Sequence, residues 1–273
     1  YMGIVGIPIA FLLMTKSQDL SVGMTVASSG VIFTALIARS GLPVFVALFL
    51  TLIYALIVGT INGVLVVDVG VPPFLVTLSM QFILFGLTYY ICDGVTITGL
   101  PDWFCAFEQW KLFDFITFDM IFFVVEVIVA HFILKHTVLG KDIIYNSYTT
   151  SIKPTDENQV SRIRRGMHMV VSFSGAVSGI MFCARTAQAA PSTGSEWDLQ
   201  LMIAAVIGGT SMYGGKGSII GAALGMFFIR LLLNVLIMIG LSGDWQYVGM
   251  GFCMIMAILM DIARTRYMDK HNL

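Results

Sequence analysis

Runs of mostly apolar residues, broken by short clusters of charge, proline or glycine, follow one another from the first residue to about position 262. A bilayer core about 30 Å thick needs roughly 20 such residues per helix. On that rule nine segments are predicted: 1–15, 20–38, 43–67, 72–92, 117–134, 166–186, 199–213, 218–239 and 245–262. The first and seventh are short. The chain opens Tyr1-Met2-Gly3-Ile4 without an initiator methionine, so its start is expected inside or just before a hydrophobic segment. Segment seven runs into Gly208-Gly209-Thr210, which predicts a helix that breaks before it has crossed the membrane.

Two polar stretches interrupt the pattern. Residues 93–116 carry the turn signals Asp93-Gly94 and Gly99-Leu100-Pro101 and six large aromatic residues, which predicts a short helix lying on a membrane surface. Residues 135–165 are polar and basic and contain Lys153-Pro154-Thr155-Asp156-Glu157, a stretch where a soluble partner can dock.

Charge supplies the direction. With 135–165 on the cytoplasmic side, alternation puts eleven basic residues inside: Lys16, Lys135, Lys141, Lys153, Arg162, Arg164, Arg165, Lys216, Arg264, Arg266 and Lys270. Only Arg39, Lys111 and Arg185 fall outside, and Arg230 lies within a span. The positive-inside rule therefore sends 93–116 outward and the C-terminus into the cytoplasm.

Composition narrows the class further. Of 273 residues 58% are hydrophobic and 11% charged, and the mean hydropathy is +0.90. A water-soluble globule and a disordered chain are excluded by these values. A nucleic-acid binder needs a basic surplus, and the net charge is -1. Cys92, Cys105, Cys183 and Cys253 have no metal or redox spacing; Cys92 and Cys105 share the outer side, where pairing is open, but free thiols are the favoured reading.

No catalytic set is present: there is no G-x-S-x-G, no H-E-x-x-H, and His131, His136, His168 and His271 are scattered. Gly215-Lys216 fails as a phosphate loop, because Thr210 stands where the first glycine belongs and Gly217 where Ser or Thr belongs. The stretch 208–218 reads instead as a flexible turn after a broken helix. Small residues four apart recur at Gly59/Gly63, Gly175/Gly179 and Gly217/Gly221/Gly225, a spacing that lets helix backbones approach closely in lipid. The spacing leaves open whether such stripes join helices of one chain or of two.

Polar residues within spans are costly, which makes Asn62, Gln81, Glu126, His131, Arg230 and Asn234 informative, together with Asp19 at a helix start. Glu126 serves either as a proton or ion site or as a satisfied structural group, and Arg230 either pairs with it or reaches toward the interface. Asp119, next to Thr117 at a helix start, reads as an N-cap or a first-turn acid.

Several stretches taken in order resemble the ribose-type permeases of bacterial ABC importers. They are Asp19-Leu20-Ser21-Val22-Gly23, Asn62-Gly63, 71–78 (VPPFLVTL), Gly99-Leu100-Pro101, Thr137-Val138-Leu139-Gly140-Lys141, and Ile207-Gly208-Gly209-Thr210-Ser211 followed by Gly214-Gly215-Lys216-Gly217-Ser218. The resemblance implies one all-α polytopic domain over 1–273 in two pseudo-symmetric halves, with a further N-terminal span usual in the family. It implies a second permease copy or paralogue, a cytoplasmic ATPase that holds the ATP and magnesium, a periplasmic or lipid-anchored sugar-binding protein, and a bacterial inner-membrane location. No cofactor or metal is expected on this chain.

Asp19, Ser21, Asn62, Gly208, Gly209 and Thr210 are then expected along the translocation pathway, against the plainer reading that the two breaks are kinks at helix ends. Lys141, Lys153, Arg162, Arg164 and Arg165 are expected to couple to the ATPase or to anchor on anionic lipid. The segment 146–154 departs from the family's Gly-Gly-Asn turn and small-residue stretch, which bears on how an ATPase would dock. A nucleoside, a signalling furanose or a branched-chain amino acid stays open as cargo. So does a different class, an ion-coupled secondary transporter centred on Glu126.

Overall fold

The computed structural model describes residues 1–113, 115–148, 157–240 and 243–271. Lys153, and most of the divergent 146–154 stretch, lie outside the described residues. The architecture is all-α, with helices α1 (Met2–Met14), α2 (Val22–Ala38), α3 (Val44–Val67), α4 (Pro73–Cys92), α5 (Asp102–Gln109), α6 (Phe118–His136), α7 (Val138–Tyr148), α8 (Glu157–Thr186), α9 (Trp197–Ile207), α10 (Ile219–Met238) and α11 (Gly243–His271). Four of these, α3, α4, α8 (over 159–186) and α10, are long and apolar enough to cross a membrane, and several shorter apolar helices accompany them.

Helix α1 is apolar on every side and buried at every position except Gly3, so it occupies the centre of the bundle. It packs against α8, α9, α10 and α6, while α2, α3 and α4 form a second layer on the other side of α8. The outer helices reverse the usual solubility pattern. Phe45, Phe49 and Ile57 on α3, Phe82 and Ile83 on α4, Ile128 and Phe132 on α6, and Leu224 and Phe227 on α10 are all exposed, which is the apolar girdle a chain surrounded by lipid presents.

Local chemistry sets the helix ends. Pro72-Pro73 opens α4, where a missing N–H costs nothing, and Asp93 ends it in the left-handed region at φ 55°. Ser218 caps α10, its Oγ accepting from Gly221 N at 3.1 Å. Three segments depart from expectation, the last being α11, which runs to His271, nine residues past the predicted 262. Helix α8 starts at Glu157, nine residues before the predicted span, so its first turns extend past the apolar segment. Helix α9 stops at Ile207 instead of 213, because Gly209, Gly214 and Gly215 all take positive φ.

Both long polar stretches carry helices. The outer loop folds into β1 (Ile97–Thr98), α5, β2 (Lys111–Leu112) and β3 (Ile116–Thr117). Strand β1 pairs antiparallel with β4 (Gln188–Ala189), tying this loop to the one after α8. The basic stretch holds α7 and the first turns of α8. Cys92, Cys105, Cys183 and Cys253 are free thiols, the first three buried.

Candidate translocation site

The corner between α1 and α2 buries a carboxylate. Asp19 is fully buried, and its Oδ1 accepts from Ser21 N at 2.8 Å and from Ser21 Oγ at 2.6 Å. Asn62, from the middle of α3, donates through Nδ2 to Ser21 Oγ at 2.9 Å and to Asp19 Oδ2 at 3.4 Å. His168, from α8, faces Asp19 Oδ2 through Nδ1 at 3.5 Å, and its Nε2 meets Ser17 Oγ at 2.9 Å. A neutral imidazole protonated at Nδ1 satisfies both contacts, donating to the carboxylate and accepting from the hydroxyl. A charge in such a place persists only when paired and hydrogen-bonded, and here each carboxylate oxygen has two partners. Asp19, Ser21 and Asn62 thus form one network, but a closed one: none of the three reaches a surface.

The second break lies beside the first. Gly215 N donates to Met14 O at 2.9 Å, so the turn after α9 is fastened to the end of α1 just before the Asp19 corner. Gly208 faces the backbone of Gly221, and Thr210 is buried with its hydroxyl unpartnered. The glycine stripes work within this one chain. A Cβ on Gly59 would meet His168 O and Met169 Cα on α8 at 2.7 Å, and Gly63 faces Arg165 on the same helix. Gly175 and Gly179 lie against Thr25 and Val26 of α2, Gly217 against Met14, and Gly221 and Gly225 against Gly208 and Ala204 of α9.

At this end of the bundle the predicted coupling cations divide. Arg164 Nε donates to Thr15 O at 3.1 Å, and Arg165 forms an ion pair with Asp68 at the end of α3. Arg162 and Lys141 are exposed. Glu126 and Arg230 form no ion pair with each other among the described residues, and Glu126 Oε2 and His131 Nδ1 are buried without a hydrogen-bond partner.

Three participants were not legible as site residues. Ser17 and His168 join the Asp19 network from 151 residues apart in sequence, and only the packing of α8 against the corner brings them together. Asp198, in the first turn of α9, accepts from Gln81 Nε2 of α4 at 3.2 Å. That bond lies eleven residues before the end of α4, about 16 Å along the helix.

A family model described as "Branched-chain amino acid transport system / permease component" matches residues 1–258. The ribose import permease protein RbsC of Haemophilus influenzae is 28% identical over 261 residues, covering 94% of this chain and 80% of that protein. RbsC of Bacillus subtilis is 28% identical over 95% of the chain and 80% of its own length. A probable ABC transporter permease of Sinorhizobium fredii is 30% identical over 94% of the chain and 77% of its own length. The autoinducer 2 import permease LsrD of Yersinia pestis is 25% identical over 98% of the chain and 81% of its own length. No solved structure matches. With nearly its whole length matched, and with an all-α bundle whose two breaks meet at one end, the chain belongs to this permease family and to the ribose-type permeases of ABC importers within it.

Proposed function

We propose that this chain is the membrane-spanning subunit of an ATP-driven importer that carries a simple sugar, a ribose-like pentose or a hexose, by alternating access. The observation that carries the reading is the match to two ribose import permeases over 94–95% of the chain. Branched-chain amino acids, named in the family description, and autoinducer 2, named for LsrD, are the competing cargoes. Membership of an ABC permease family sets aside the ion-coupled transporter. The chain performs no chemistry on its cargo; ATP with magnesium is hydrolysed on a separate subunit.

In this reading two permease copies, or this chain and a paralogue, enclose the route in a bacterial inner membrane. A periplasmic or lipid-anchored sugar-binding protein docks at the end that carries α5 and the β1–β4 pair, and the ATPase at the end that carries α7 and the start of α8. Rocking needs a corner that moves as one body. The Asp19 network supports this role, because it ties the α1–α2 corner to α3 and α8. Arg164 and Arg165 tie the base of α8 to α1 and α3, so a push on α7 and α8 reaches the corner, while Lys141 and Arg162 stay exposed for the partner or anionic lipid.

Uptake of labelled D-ribose by cells expressing the whole importer tests the reading. Vanadate is expected to abolish uptake, and deletion of 138–148 to abolish both uptake and co-purification of the ATPase. Uptake that resists vanadate and collapses with a protonophore would overturn it.

A further inference from the structure

Helix α9 is half a membrane span. Its 11 residues rise about 16 Å against a hydrocarbon core of about 30 Å, and its first turn packs against the bundle on one side while Glu196 and Leu199 stay exposed on the other. Three contacts place it there. Gly194, in the loop that leads into α9, is pressed against Gly23 of α2; Trp197 stands edge-on to Phe182 of α8 at 6.1 Å; and Asp198 reaches Gln81 in mid-α4. The loop after β4 therefore dips from the outer end into the interior before the helix begins. Irregular backbone at such depth persists only where it is buried in protein or lines a cavity.

It lines a pocket of about 230 Å³ that opens at the surface of the chain, walled by Ser192, Ser195, Glu196 and the buried Gln200 on one side and by the exposed Arg230 and Asn234 of α10 on the other. Gln200 is 5% exposed, and its Oε1 has no hydrogen-bond donor. A buried acceptor left unpaired costs about 1–3 kcal/mol, so it marks a place where another group supplies the donor. Arg230 lies in the twelfth position of a 20-residue membrane helix, forms no ion pair among the described residues, and offers guanidinium donors. Glu196 already accepts from the Tyr247 hydroxyl.

We infer that this cavity is a solute-binding site on the route through the membrane and that it takes a neutral, hydroxyl-rich solute of monosaccharide size, with Gln200 and Arg230 as its specificity-determining residues. The inference rests on the sugar-importer reading and adds the place and the selecting groups. One cation and one carboxylate leave the wall without formal charge, which disfavours a phosphorylated sugar. Serine hydroxyls, two amides and a guanidinium alternate donors with acceptors, as a polyol does, and Trp197, Leu233 and Ile237 of the same wall give the apolar face of a sugar ring a surface to lie on.

The test uses the complete importer with its ATPase and binding protein in proteoliposomes, and labelled D-ribose, D-ribose 5-phosphate and L-leucine as probes. The native complex is expected to carry D-ribose alone, and Gln200→Ala to raise the KM for D-ribose about tenfold. In a second arm, the thiol of a Ser195→Cys variant is expected to react with a membrane-impermeant reagent added outside, at a rate that D-ribose lowers severalfold. This arm decides alone if Gln200→Ala fails to accumulate. Ribose transport with an unchanged KM in Gln200→Ala, or a Ser195→Cys variant that is unreactive or not protected by ribose, overturns the site and leaves the sugar-importer reading standing. Transport of leucine without ribose overturns that reading itself, and transport of the phosphorylated sugar overturns the neutral-solute assignment alone.

Discussion

Asp19 shows what a single residue does in this fold. Its carboxylate draws Ser21, Asn62 and His168 together at a corner where each belongs to a different element. Asp19→Ala would leave three polar groups buried without their partner, and breaking a buried pair in this way costs about 3–5 kcal/mol. A large drop in the thermal unfolding midpoint of the detergent-solubilised protein is expected, with Asp19→Asn losing less because it keeps an acceptor oxygen for Ser21. An unchanged midpoint in Asp19→Ala would show that the network carries no stability. Asp19, Ser21 and Asn62 stand out in the sequence because polar groups are rare in such segments. His168 does not, because its partner is 149 residues away and a histidine near the edge of a predicted span is unremarkable until α8 packs against the corner.

Between elements the deciding quantity is how closely backbones approach. Gly225 lies directly against Ala204 O, with no room for a side chain between α9 and α10, whereas Gly86 on α4 has nothing within 4 Å of where a Cβ would stand. Gly225→Leu is therefore expected to separate α9 from α10, costing about 1–3 kcal/mol or more. Gly86→Ala is expected to be neutral or to stabilise by about 0.5–1 kcal/mol through the helix entropy of alanine. Paired unfolding midpoints for the two variants check the contrast. The same four-residue spacing in the sequence announces close packing but not the partner helix, since spacing carries no information about which surface lies opposite.

The outer helix α5 adds a pH dependence at this scale. Glu108 is buried and accepts from the Tyr1 hydroxyl at 2.8 Å, and burial pushes its carboxyl up to about 7 from an ordinary 4.5. Between those values the folded chain holds a proton that the unfolded chain releases, so the contribution to stability is present at low pH and is lost as pH rises toward 7. Amide exchange in 102–109 is expected to speed up over that window in the native protein and to be flat in Glu108→Gln. Identical profiles in the two would remove Glu108 as the cause.

Across the whole molecule, the two ends of the bundle sort as the basic residues predict. Lys16, Arg164, Arg165 and the turn containing Lys216 meet at one end, and Arg39 pairs with Asp93 near the β1–β4 strap at the other. Alkaline phosphatase fused after residue 240 is therefore expected to be active in the periplasm and, fused after residue 216, inactive in the cytoplasm. The reverse pattern would invert the orientation and move the ATPase face to the end that carries α5.

The linear order of residues is enough to establish the membrane class, the approximate extent of nearly every span, the relative placement of the loops and the family, because hydrophobic runs, charge bias and ordered motifs are local properties of the chain. Asp19, Ser21 and Asn62 are marked for the same local reason. It takes the folded bundle to establish that these residues bond one another and draw in His168, that the glycine stripes serve helices of the same chain, and that the start of α9 places an unpaired Gln200 in one pocket with Arg230. Those features depend on which surfaces meet, and in a bundle where lipid and neighbouring helices are equally apolar, hydrophobicity cannot choose between them; shape and the pairing of a few polar groups do.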